Sequence, residues 1–402
     1  RDSSTSRGLG DVYKRQKFGD VPYTTKVLSI KESMSIARTA KATVIANVLA
    51  DLDEVINGNY LPTSYDADNK GRITRWAAMA IKAKIYLFEG NWTQVKNITS
   101  TIMTEGGFKL FGSYAGLFEI ANEYNSEVIL DAQYRPTSRE HQMMYVFLPP
   151  TLGGYSQLSP LQELVDSYIM LDGKTIKETG TSFDESHPYA NRDPRLKATV
   201  MYTGNSYTLA DGTEVVINCE KGEGKDGYGV GSDCSATGYY IKKYWDNTYR
   251  ATLYSGLNPI LIRYADILLM NAEALAELGE LDKTAWDATI KPIRDRAGFT
   301  LASALEFPEG ASKDKLIEIV RNERRSELAL EGHRHKDIIR WRIADNVLNG
   351  WCHGLKTNDV VGTDDGYVRV ENRTFNANKH YLWPIPQAER DLNGNLEQNP
   401  NW

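Results

Sequence analysis

The sequence predicts an all-α fold on a tetratricopeptide-like helical repeat scaffold, with long irregular loops and a few short strands. Three observations predict it. Long segments carry apolar residues at helical spacing. Two of these segments end in a glycine turn followed by a returning helix. A long stretch between the helical ends, residues 203–258, is rich in Gly, Asp, Asn and Tyr and carries little period of its own.

The elements follow in order. Residues 37–56 carry Ala40, Val44, Val48, Leu52 and Val55 as one apolar stripe. Residues 72–88 are Ala-rich and nearly continuous in hydrophobicity, so this helix should be buried. It stops at Gly90, and a second helix over 92–103 returns. Residues 260–278 repeat the design: Leu269, Ala272 and Gly279 stand as Ala80, Ala83 and Gly90 do in the first pair. Small residues let two helices approach, and glycine frees the C-cap. A further helix over 312–330 is expected to continue into 335–341. Strands are expected at 127–133, 197–202 and 238–244.

Composition sets limits on function. The 402 residues, 41% of them hydrophobic, suffice for a large core as one big domain or two ordinary ones. A net charge of −6 without a basic stripe argues against nucleic acid. The densest charge run, residues 321–331, mixes both signs and reads as a solvated helix face. No apolar run approaches the roughly 20 residues that cross a bilayer. Cys219 and Cys234 flank a Gly-rich loop, and the sequence leaves open whether they pair or stay free thiols; no Cys/His spacing suggests zinc, and no cofactor is implied. His333 and His335 point in different directions on a helix and read as scaffold, not as metal ligands. No nucleophile elbow, Walker loop or dinucleotide fingerprint is present, so no residue is assigned a catalytic role.

The candidate binding residues lie in the irregular stretch. Tyr228, Tyr239, Tyr240, Tyr244, Trp245 and Tyr249 place six large aromatics in 22 residues, interleaved with Asp246, Asn247 and Arg250. A sugar ring lays its axial C–H groups on an aromatic face, while its hydroxyls need Asn, Asp and Arg partners. Two or three such stacks and a few hydrogen bonds, at about 1 kcal/mol each, give a Kd near ~0.2 mM, a releasing affinity. Tyr239 and Tyr240 alternate on the expected strand and should pack into the scaffold. Trp245 and Tyr249, with Tyr228, Asp246, Asn247 and Arg250, are the expected ligand contacts.

Several segments, in order, resemble the SusD/RagB family. They are Phe18-Gly19-Asp20-Val21-Pro22; the Ala-rich helix and turn to Gly90; Leu164-Val165-Asp166-Ser167-Tyr168 with Asp172-Gly173; Asn191-Arg192-Asp193-Pro194-Arg195-Leu196; residues 259–273; residues 321–342; and Tyr381-Leu382-Trp383-Pro384-Ile385-Pro386 with Glu389, Asn399 and Pro400. The resemblance implies a lipid-anchored protein on the outer face of the outer membrane. There it would pass oligosaccharides, or peptides in RagB-like members, to a SusC-like TonB-dependent transporter. A glycoside hydrolase is the less favoured alternative. The resemblance also implies one domain over residues 17–402 whose N-terminal part, with the lipidated cysteine, is missing, while residues 1–16 read as a non-native scar. Physically, the 191–195 segment reads as a turn whose Arg192 and Arg195 pair with nearby carboxylates, and Arg324 and Glu327 should meet on one helix face.

Overall fold

The computed structural model describes residues 14, 16–248, 252–357 and 364–402. The fold is mostly helical, with short two-stranded sheets. The chain divides into two compact units, one formed by Arg1–Ile102, His335–Asn349 and Thr374–Trp402, the other by Met103–Arg334 and Gly350–Arg373.

In the first unit, α1 (Lys41–Asn57) buries Val44, Val48, Leu52 and Ile56, a stripe at intervals of four. It packs against α2 (Arg75–Glu89), which is buried nearly all round and capped by the Thr74 hydroxyl on the Ala77 N–H. Gly90, at φ +70°, ends α2 in the left-handed conformation, and α3 (Trp92–Glu105) follows at once. The first and last motifs of the sequence meet in this unit through Arg38. Its guanidinium donates to the carbonyls of Asp20 (2.8 Å), Phe18 (2.9 Å) and Glu397 (2.8 Å) and to Asn399 Oδ1 (2.6 Å). Asn399 Nδ2 returns bonds to Phe18 and Trp383, and Lys17 Nζ lies 3.9 Å over the Trp383 ring.

In the second unit the chain runs through β1 (Val128–Asp131), α4 (Gln162–Ser167), α5 (Pro194–Thr199), β2 (Val200–Met201) and the hairpin β3 (Ser206–Thr208) and β4 (Glu214–Val216). Then come β5 (Tyr240–Ile241), β6 (Ile260–Arg263), α6 (Tyr264–Leu278), α7 (Lys283–Ala288), α8 (Ile290–Ala297) and α9 (Lys313–Glu327), closed by the hairpin β7 (Gly350–Lys356) and β8 (Tyr367–Arg373). Gly279 at φ +74° turns α6 into α7 with the same cap geometry as Gly90, as the sequence repeat requires. Leu268, Leu269, Ala272, Trp286, Ile293 and Val320 fill the space among α6 to α9.

Three expectations of secondary structure need correction. The helix expected from residue 260 begins only at Tyr264, because Ile260–Arg263 pairs antiparallel with β1. The strand expected at 197–202 is mostly helix: Pro194 sits at its first position, Asp193 caps it, and only Val200–Met201 pairs with β5. Helix α9 does not run into 335–341. It stops at Glu327, and Leu330 and Gly332 take positive φ before Arg334–Arg340 resumes.

The charge run 321–331 is not a solvated face. Glu323, Arg324, Glu327 and Glu331 all have buried side chains. Glu327 faces Arg195 (2.9 Å), Arg263 (2.6 Å) and Arg296. Arg195 also binds Asp193 (2.7 Å) and Glu323 (2.7 Å), and Arg263 grips both oxygens of Glu331 (2.7 and 2.8 Å) and Glu127 (2.7 Å). Lys243 Nζ closes the edge, bonding Glu331 at 2.6 Å and lying 4.4 Å over the Phe118 ring. Arg324 does not meet Glu327; it pairs with Asp266 at 2.6 Å. Arg195 pairs with carboxylates as expected, but Arg192 does not. Its guanidinium bonds the carbonyls of Val165, Tyr168 and Pro188.

Burial opposes the charge on Glu327, yet Arg296, Arg263 and Arg195 outweigh it and hold the carboxyl well below the usual range. At Glu331 burial is likewise overcome, by Arg263 and Lys243, which bring the carboxyl down to about 2. A depressed folded pKa contributes stability that is present above the unfolded value and lost as pH falls through the folded one. Thermal melts should therefore hold down to about pH 4.5 and fall steeply from there toward pH 2, where Glu331 titrates. Glu327→Gln should cost about 3–5 kcal/mol in denaturant unfolding, because three buried guanidiniums lose their shared counter-charge. A loss below 1 kcal/mol would count against this role.

Candidate functional site

In the second unit, the sequence folds one aromatic pair outward on a stiff loop. A short helix, Met143–Phe147, buries Met144 and Phe147 in the core and leaves Tyr145 half-buried. After Pro149-Pro150 the chain makes a turn of 3₁₀ helix, and Gly153 takes φ +78°. A Cβ on Gly154 would stand 2.1 Å from the Leu148 carbonyl, so only glycine permits that approach. The loop then returns on the helix: the Tyr155 and Leu158 N–H groups donate to the carbonyls of Tyr145 and Val146, both at 2.9 Å. Asp226 ties it from the other side by accepting the Thr151 N–H at 2.8 Å.

The product is a close tilted pair, Tyr145 and Tyr155, with ring centroids 4.3 Å apart and planes at 30°. Tyr155 is 40% exposed, and Leu158, three residues on, adds exposed apolar surface. Hydrogen bonding with Tyr155 raises the Tyr145 phenol, and Asp233 adds to that by its charge, which places a carboxylate near the pair. A flat aromatic face carrying hydroxyls can hold a polyhydroxylated ring.

The residues singled out in the sequence are placed differently. Trp245 is only 8% exposed; its ring packs on Tyr207 at 5.0 Å and its indole N–H donates to the Thr208 carbonyl at 2.8 Å. Asp246 is buried and accepts from Thr248 and from the Ser255 hydroxyl. These two residues are therefore buried where the sequence led us to expect exposed ones: beyond β5 the chain turns inward instead of out to solvent. Asn247 and Tyr228 are half-buried, Tyr228 against the core cluster that holds Trp245. Tyr249 and Arg250 lie outside the described residues. Tyr239 and Tyr240 pack inside, as expected. Cys219 and Cys234 are free thiols, and burial raises Cys219 to about 12. Among the described residues, no group of three or more His, Cys, Asp or Glu is arranged to hold a metal, and no helix is long and apolar enough to cross a membrane. The Tyr145–Tyr155 pair was missed because the two residues stand apart from the aromatic-dense stretch. The available signal was a lone Tyr after Gly153-Gly154 in a Pro/Gly loop.

The SusD family model matches residues 117–402, which include this loop and Arg195, Arg263, Arg296 and Glu327 of the charge network. The chain belongs to the SusD family. SusD-like protein P25 of Formosa agariphila is 28% identical over 355 residues, 82% of this chain; the chain spans 61% of that relative's length. The crystal structure of a SusD-like carbohydrate-binding protein from Bacteroides fragilis superposes with a TM-score of 0.88 at 28% identity, covering 98% of this chain and 79% of that one. A laminarin-binding SusD-like protein shares the fold at 23% identity, with a TM-score of 0.66 over 100% of this chain and 78% of its own.

Within this SusD-family chain, Trp245→Ala should act on stability. Removing a buried ring that also carries a hydrogen bond should cost about 3–5 kcal/mol in chemical unfolding. A Tm and midpoint equal to wild type would return Trp245 to the surface.

Proposed function

We propose that this protein is a non-catalytic glycan binder of the cell surface, one that hands oligosaccharides to a SusC-like TonB-dependent transporter. The observation that carries the reading is the outward-facing Tyr145–Tyr155 pair on a loop fixed by Gly154 and Asp226. Family membership and the likeness to a solved carbohydrate-binding relative support it. The transporter partnership and the lipid anchorage on the outer membrane rest on the family resemblance. Retention of solute on a weak, releasing surface suits delivery to a separate channel.

The binding is shallow and aromatic, so its loss should be local. Tyr155→Ala should weaken binding of the cognate oligosaccharide about 5- to 15-fold, from roughly 1–1.5 kcal/mol of stacking. The Tm should stay within a few degrees of wild type, since the ring is exposed. Isothermal titration across neutral oligosaccharides and peptides of matched length reads both. Unchanged oligosaccharide affinity removes the platform from the account, and preferential peptide binding favours the RagB-like alternative. No reducing sugar should accumulate from any polysaccharide incubated with the protein.

A further inference from the structure

A second recess lies in the same unit, of about 630 Å³, walled by α4, residues 183–192, residues 202–204, Gly238-Tyr239 and the β7–β8 hairpin. That volume falls within the range of built small-molecule sites and admits one or two pyranose rings. The hairpin wall is docked by shape. A Cβ on Gly238 would stand 1.6 Å from Leu355, and one on Gly354 2.5 Å from the Thr237 carbonyl, so two glycines let the walls meet. The Leu355 N–H seals the seam on Thr237 O at 2.7 Å. His353 fastens the same hairpin, with Nδ1 2.7 Å from Glu163 and Nε2 3.1 Å from Asp364.

The lining has a definite chemistry. Tyr189 and Tyr202 stack at 4.0 Å and 17°. From Tyr189 a hydrogen-bond chain runs inward: its hydroxyl meets that of Tyr239 at 3.2 Å, Tyr239 donates to Gln162 Oε1 at 2.6 Å, and Gln162 Nε2 donates to Asp166 Oδ1 at 2.7 Å. The chain fixes a carboxylate and an amide beside an aromatic face. The lining cations are already engaged. Arg192 is held in place by three backbone carbonyls, and Lys356 pairs with Glu185 at 3.1 Å. The carboxylates Asp166, Glu185 and Glu220 outnumber Arg192 and Lys356 in the lining, so the recess is net negative and disfavours an anionic ligand.

We infer that this recess, walled by the Tyr189–Tyr202 stack, Asp166 and the glycine-docked hairpin, is a second saccharide site that takes one or two uncharged pyranose residues and rejects uronates. The inference rests on the glycan-binding reading and adds a site separate from the Tyr145–Tyr155 platform. A neutral ring lays its C–H face on the outer side of the stack and donates hydroxyls to Asp166; a uronate brings a carboxylate against Asp166 and Glu220.

The test is isothermal titration of the full chain with neutral gluco-, manno- and galacto-oligosaccharides of two to six units and with oligouronates of the same lengths. Tyr155→Ala, Tyr202→Ala and Asp166→Asn are compared with wild type; Asp166→Asn serves should Tyr202→Ala fail to fold, as monitored by Tm. Wild type should bind a neutral ligand at two sites per chain. Tyr155→Ala should retain one, and adding Asp166→Asn or Tyr202→Ala should weaken that one at least tenfold. Loss of all binding in Tyr155→Ala, with both recess variants at wild-type affinity, overturns the inference and leaves the platform standing. Loss of all binding in the recess variants, with Tyr155→Ala unaffected, overturns the platform and supports the recess. Oligouronates binding the recess more tightly than neutral ligands, or no neutral ligand binding there, overturns the inference.

Discussion

Glu327 is the point on which the second unit depends. A single carboxylate, fully buried on α9, takes charge from Arg195, Arg263 and Arg296, and its own backbone carbonyl accepts from Arg263 and the Tyr114 hydroxyl. Each arginine comes from a different segment, so the network fixes how α5, the β6–α6 junction, α8 and α9 meet. Ions so buried are stable only as a set, because each guanidinium left without its carboxylate would keep its desolvation cost. Arg195 of the 191–196 motif, Arg263 of 259–273 and Glu327 of 321–342 are thus parts of one charge cluster.

A scaffold held in this way leaves its loops free to specialise. The loop that carries Tyr155 needs no regular structure. Gly154 permits a close backbone approach, Asp226 anchors it, and Phe147, Leu148 and Leu152 sink its base into the core. Tyr155 is thereby presented at a fixed angle without help from a ligand, and a rigid aromatic loses little entropy on binding. The recess behind the β7–β8 hairpin uses the same device, with Gly238 and Gly354 in place of Gly154.

Much of the architecture was legible in the sequence, for physical reasons that also explain the rest. Apolar period and glycine stops are local, so α1, α2, α3 and the matching caps at Gly90 and Gly279 could be read directly. Arg195 could be given carboxylate partners because Asp193 is two residues away. The partners of Glu327 could not be read, since Arg263 and Arg195 lie 64 and 132 residues off along the chain. Spacing on α9 suggested Arg324 instead, and charge alone suggested solvent. The direction of Trp245 could not be read for a related reason: aromatic density reports hydrophobic content, not orientation. Trp245 turned inward, where the Thr208 carbonyl satisfied its indole, while the less conspicuous Tyr155 turned out.

The account stands most directly on the energy that Arg263 and Glu327 share. A double-mutant cycle with Arg263→Met and Glu327→Met, read by denaturant unfolding of the full chain, isolates it. The account predicts that each single variant is destabilised by several kcal/mol and that the double variant recovers at least about 2 kcal/mol of the summed loss, since removing both charges leaves fewer ions uncompensated. Additive losses, with a coupling within about 0.5 kcal/mol of zero, would contradict it.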